Sequence, residues 1–189
     1  DIYTKYLAVS GFFIMVMTVL YAGDIIHLFF GARYAQSVPV LQISALAFPF
    51  TFSATSTIIT SLDRQSAVAR IQLVGLGVNL ISGIALIWKF GMNGAAASAV
   101  ITYVFLTAAS IWYVRKERIV TIGKSLFVYF SLTLISAGCI CVKTFLMPPM
   151  NFILSGTIIA SAFAILCVPF LLTSDDIRIM KEIIRIRSV

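Results

Sequence analysis

Asp24 and His27 stand three residues apart, and His27 is the chain's single histidine. On a helix that spacing puts both on one side. A proton or cation site is one reading, and a solvated pair at a membrane surface is the other, favoured because interfacial charges cost little. The seven Asp and Glu residues fall mostly at the ends of apolar blocks. Cys139, Cys141 and Cys167 lack metal-ligand spacing and a nearby His, and read as packing residues in apolar helices. No nucleophile with a base, glycine-rich phosphate loop or zinc motif assembles from the rest. The expectation is therefore a protein that is not an enzyme, with no catalytic residue, metal site or cofactor.

Uncharged polar residues inside apolar blocks carry more information. Gly75, Asn79 and Gly83 recur every four residues, with Gln72 about a turn earlier. An amide at that depth needs a partner from a helix, its own backbone or water, so Asn79 should face protein rather than lipid. Ala45, Pro49, Ser53, Thr57 and Ser61 form a second small stripe at the same spacing. Helix packing and a cavity wall offering hydroxyls to a polar solute both account for it. Pro49 removes a backbone hydrogen bond and should kink its helix around Phe48.

The elements holding these residues follow from composition. The 189 residues are 60% hydrophobic and 11% charged, with mean hydropathy +1.04, where soluble domains carry roughly 25% charged residues. A bilayer core about 30 Å thick takes about 20 helical residues to cross. Six apolar blocks meet that length, near 6–22, 37–62, 69–90, 94–114, 126–146 and 152–172. Runs such as Phe12-Phe13-Ile14-Met15-Val16-Met17 do not alternate as barrel strands would. The expected fold is all-α: a polytopic bundle of about six membrane-spanning helices over 1–173, then an amphipathic interfacial helix over 174–189. In that tail Arg178, Lys181, Glu182 and Arg185 share one face, and Ile177, Met180 and Ile184 another. The chain starts at Asp1 without a signal-peptide pattern and reads as a portion of something longer.

Charge fixes the expected orientation. Lys5, Arg64, Arg70, Arg115, Lys116, Arg118, Lys124, Arg178, Lys181, Arg185 and Arg187 fall on one side of such a bundle, against Arg33, Lys89 and Lys143 on the other. The positive-inside rule makes the richer side and both ends cytoplasmic. The net charge of +7 is topological rather than a nucleic-acid surface, because the cations sit at helix ends instead of along one continuous face.

Two stretches are similar to a known family. Asp24 to Tyr34, with Ile25, Leu28, Phe30, Gly31 and Tyr34, then Ala35, Pro39-Val40-Leu41 and Ile43, resembles a signature of polysaccharide flippases. These belong to the multidrug/oligosaccharidyl-lipid/polysaccharide exporter superfamily. Asn79-Leu80 followed by Phe90-Gly91-Met92-Asn93-Gly94-Ala95-Ala96 resembles that family's helical hairpin. The likeness covers residues 6–116, and the last two helices only by topology. It implies four helices of the second six-helix lobe plus an extra pair, with the preceding helices of the same protein as partners. The implied activity is flipping of undecaprenyl-pyrophosphate-linked oligosaccharide repeat units across a bacterial inner membrane, for polysaccharide or O-antigen export. A proton or sodium gradient is the implied driving force, and membrane lipids are the further partners. Family cavities often use Arg and Lys, so Arg33, Arg64, Arg70 and Lys89 become cavity candidates, joined by Gln72 and Asn79. The alternatives weighed are a drug/cation antiporter, which should carry a carboxylate deep in a helix, and a membrane-embedded polysaccharide polymerase or ligase, which should carry a large Arg-rich outer loop.

Overall fold

A computed structural model of the chain describes the backbone of residues 2–52, 55–117, 131–141 and 152–171, and the side chains of 6–52, 57–117, 131–141 and 156–167. Every element among them is helical: α1 (Ile2–Phe30), a 3-10 helix (Ala32–Ser37), α2 (Val38–Ala45), α3 (Phe48–Thr51), α4 (Thr55–Ser61), α5 (Gln65–Phe90), α6 (Met92–Lys116), α7 (Ser131–Cys141) and α8 (Phe152–Leu171). Among the described residues three stretches are long and apolar enough to cross a membrane: Tyr6–Phe30, Gln65–Phe90 and Met92–Lys116. The expected tail over 174–189 lies outside the described residues.

The first helix is longer than its expected 6–22 block, because the segment around Asp24 and His27 continues it to Phe30. Its 29 residues span about 44 Å, more than the roughly 30 Å apolar core. Tyr21 interrupts the helical dihedrals at φ −112°, ψ 16°. Beside this kink Gln42 Nε2 donates to the Val19 carbonyl at 3.1 Å. Gly31, at φ 81° and ψ 172°, ends the helix in a conformation that side chains disfavour.

The 37–62 block departs furthest from expectation. Instead of one kinked helix there are three short ones, and the first ends at Ala45. Pro49 has no N–H for the Ala45 carbonyl and its ring crowds that oxygen. The chain therefore turns at Leu46 and Ala47 and restarts at Phe48 with Pro49 in the first turn of α3. The break falls two residues before Phe48. The small-residue stripe does not stay on one side: Ala45 and Pro49, which flank the break, are both buried, while Thr57 and Ser61 on α4 are exposed.

Residues 11 and 19 of α1 meet the regions around residues 50 and 42, so α1 and the α2–α3 segment are antiparallel. A side chain at Gly11 would stand 3.0 Å from Phe52 Cβ and 3.1 Å from the Phe48 carbonyl oxygen. The helices α1, α7 and α8 share one core, with Phe12, Met15, Val16, Leu132, Cys139, Phe163 and Cys167 buried in it. Phe13 and Phe163 contact at a ring-centroid distance of 5.6 Å. Cys139 and Cys167 thus pack as small apolar side chains, while Cys141 is exposed.

The hairpin of α5 and α6 turns on Gly91 alone, at φ 57° and ψ −131°. Behind the turn, a Cβ at Gly94 would collide with the Leu86 carbonyl and come 2.9 Å from the Ile87 nitrogen. The two backbones approach closely because nothing stands between them. From there the seam keeps a constant register. Gly83 faces Ser98, Asn79 bonds Thr102, and Gly75 faces Leu106, each four-residue step on α5 matched by four residues back on α6. A second buried cluster of Ile59, Ala67 and Val114 closes the far end.

Candidate functional site

At that far end Arg64 stands between α4 and α5. The α4 terminus reaches it through a Schellman turn: the Asp63 N–H bonds the Thr60 carbonyl and the Arg64 N–H bonds the Ile59 carbonyl. Asp63 occupies the left-handed position of this motif at φ 57°, where glycine is usual. The Arg64 guanidinium donates to the Tyr113 hydroxyl at 3.2 Å and to the Glu117 carboxylate. Tyr113 first, then Glu117, raise its pKa above the ordinary arginine value. This cation ties the end of α4 to the end of α6.

The other cationic candidates do not converge on it. Arg70 is exposed on the second turn of α5, whereas Lys89 lies at the opposite end of that helix, about 28 Å away by helical rise. Lys89 Nζ sits 5.5 Å from the Phe90 ring centroid, and Lys116 Nζ 5.2 Å from that of Trp112. Arg33 is exposed on the 3-10 helix. Asp24 and His27 are exposed near the end of α1, without an ion pair between them.

The amide candidates lie beside two concavities. Asn79 is part of the α5–α6 seam, donating through Nδ2 to Thr102 Oγ1 at 2.9 Å. Thr102 in turn donates to the Ser98 carbonyl at 2.8 Å. Asn79 and Ser98 also floor an open groove of about 910 Å³, whose walls are apolar and include Leu80, Ile84, Ile87 and Trp88. Gln72 instead lines a half-open cavity of about 100 Å³ between α3, α5 and α6. Its other walls are Phe50, Thr51, Tyr103, Leu106, Thr107 and Ser110. Thr107 Oγ1 donates to the Phe50 carbonyl at 3.2 Å, and Thr51 Oγ1 to the Ala47 carbonyl at 3.0 Å. The break at Leu46 and Ala47 thus places hydroxyls and an amide around one polar space.

Sequence reasoning reached Gln72 and Asn79 but missed Gln42, Thr51, Tyr103, Thr107 and Ser110. Tyr103, Thr107 and Ser110 recur at i, i+4 and i+7 on one face of α6, a period that could have found them, whereas Thr51 stands alone on another helix. Only the restart at Phe48 brings Thr51 opposite α6. Among the described residues no group of three His, Cys, Asp or Glu side chains is placed to hold a metal ion.

Comparison adds one relative. The chain is 30% identical over 103 residues to an uncharacterized membrane protein of Methanocaldococcus jannaschii, a match covering 53% of this chain and 20% of that protein. This chain is a helical membrane protein. It spans about a fifth of the relative's length. No protein-family model matches the chain, and no solved structure matches it. A membrane setting gives the 100 Å³ cavity its meaning, because lipid offers Gln72 and Tyr103 no hydrogen bonds while water or a polar solute does.

Proposed function

We propose that the chain is the C-terminal portion of a transporter that flips undecaprenyl-pyrophosphate-linked oligosaccharide repeat units, with six membrane spans and both ends cytoplasmic. The observation that carries this reading is the polar cavity at the break of the second span, where α3, α5 and α6 bring an amide and several hydroxyls together within apolar helices. Discontinuous helices suit substrate sites in membranes because they are tolerated where they line a cavity. A sugar chain needs such a wet, hydrogen-bonding path, while a polyprenyl tail stays in lipid. The flanking helices of the same protein complete the path, and no covalent chemistry is involved. The resemblance of residues 24–43 and 79–96 to flippase motifs gives the substrate class.

The test is deletion of the gene from its native host, followed by scoring lipid-linked oligosaccharide with membrane-impermeant periodate in vesicles of both orientations. Loss of the transporter should leave the oligosaccharide on the cytoplasmic face. An unchanged distribution between the two faces would remove the proposal.

A further inference from the structure

We infer that the half-open cavity between α3, α5 and α6 is a subsite for the edge of one neutral sugar ring, an assignment resting on the transport reading above. The hydrogen-bonding capacity of its walls is the reason. Thr51 and Thr107 spend their hydroxyl protons on the Ala47 and Phe50 carbonyls. Each therefore presents only oxygen lone pairs to the cavity. A ligand reaching them must donate, and a phosphate dianion or carboxylate has no proton to give. Gln72, Tyr103 and Ser110 both donate and accept. A sugar hydroxyl gives and takes at one atom, so adjacent hydroxyls on a ring satisfy such a mixed wall.

Charge and shape narrow the ligand further. Among the described residues the lining holds no charged side chain, so none of them offsets the desolvation of an ion. Hard cations also prefer carboxylate ligands, which are missing from these walls. Phe50 and Tyr103 supply aromatic surface for the C–H face of a ring. The volume of about 100 Å³ holds a few waters at about 30 Å³ each, enough for the hydroxylated edge of one ring and too little for a repeat unit. Gln72 lies about 10 Å along α5 from Gln65, within a span. There Gln72 and Tyr103 are both exposed, which lipid would leave without partners and a wet path would not.

The complete transporter, with the helices that flank this chain, would be purified in lipid nanodiscs and tested with two probes: a polyprenyl pyrophosphate carrying a tritiated oligosaccharide, and the same lipid without sugar. The native protein should bind the glycosylated lipid about tenfold more tightly, equivalent to about 1.4 kcal/mol or one to two net hydrogen bonds. Tyr103→Phe combined with Ser110→Ala removes two hydroxyls with little change of shape and should erase that preference while leaving affinity for the sugar-free lipid unchanged. Gln72→Leu should do the same. Equal binding of the two lipids by the native protein would overturn the subsite and leave the transport reading standing. Binding of neither lipid would overturn both. Variants that keep the sugar preference but lose a sodium dependence of binding would mark a cation site instead and overturn the sugar assignment.

Discussion

Asn79 donates to the Thr102 hydroxyl at 2.9 Å across the seam between α5 and α6. Thr102 passes its own proton back to the Ser98 carbonyl, so the amide adds to an already satisfied hydroxyl. Removing the amide therefore leaves no stranded donor on α6. The expected coupling in an Asn79→Leu and Thr102→Val double-mutant cycle is about 0.6 to 1.7 kcal/mol, the range of interhelical hydrogen bonds in membranes. Unfolding in a mixed-detergent titration measures it. A coupling of zero would mean that the contact does not hold the hairpin.

Glycines on the same hairpin should divide sharply. Gly94→Ala drives a methyl into the Leu86 carbonyl, a backbone atom that cannot rotate away. It should cost about 2 kcal/mol or more, in the range of overpacked cores. Gly77, two positions from the seam glycine Gly75, has nothing within 4 Å of an added Cβ. Gly77→Ala should stabilise α5 by about 0.5 to 1 kcal/mol through helix propensity alone. The same detergent titration separates the two, and equal effects would contradict the packing of α6 on α5.

Much of this architecture was legible beforehand, for a physical reason. In a membrane, apolar length and four-residue spacing are strong signals, and both survive folding. The α5–α6 hairpin, the inward turn of Asn79 and the tight turn at Gly91 followed from them. The reading failed where one residue changed the path of the chain. Pro49 announced a kink, but composition could not show that the helix would stop at Ala45, turn and restart at Phe48. Thr51 became a cavity residue through that restart, and Thr57 and Ser61 lost the position their spacing gave them. Arg64 likewise reads from sequence as a cavity candidate and a topology charge, since its partners Tyr113 and Glu117 lie 49 and 53 residues away.

The Arg64 pairing should contribute modestly. Its side chain is 48% exposed and that of Glu117 32% exposed, so solvent screens the charges and the pair adds little to stability. Glu117→Gln keeps a hydrogen-bond acceptor and should lower stability only slightly, with the difference shrinking as salt is raised roughly tenfold. A loss of several kcal/mol, or one indifferent to salt, would show that Arg64 is desolvated in the membrane.

Asp63 should be improvable. It holds the left-handed position of the Schellman turn at φ 57°, a conformation that costs an ordinary L residue roughly 1–2 kcal/mol and glycine almost nothing. Asp pays less than most because its short side chain can bond locally. Asp63→Gly should therefore raise stability by about 0.5 to 1 kcal/mol, whereas Asp63→Ala should lower it, since the methyl keeps the steric penalty and offers no local bond. The backbone bonds from Asp63 to Thr60 and from Arg64 to Ile59 are unaffected by either change, so both differences report on the dihedral alone. Thermal unfolding of the two variants beside the native chain decides the point. If Asp63→Gly were less stable than the native chain, the carboxylate itself would be holding the turn between α4 and α5, and its side chain rather than its backbone would be the reason an aspartate stands there.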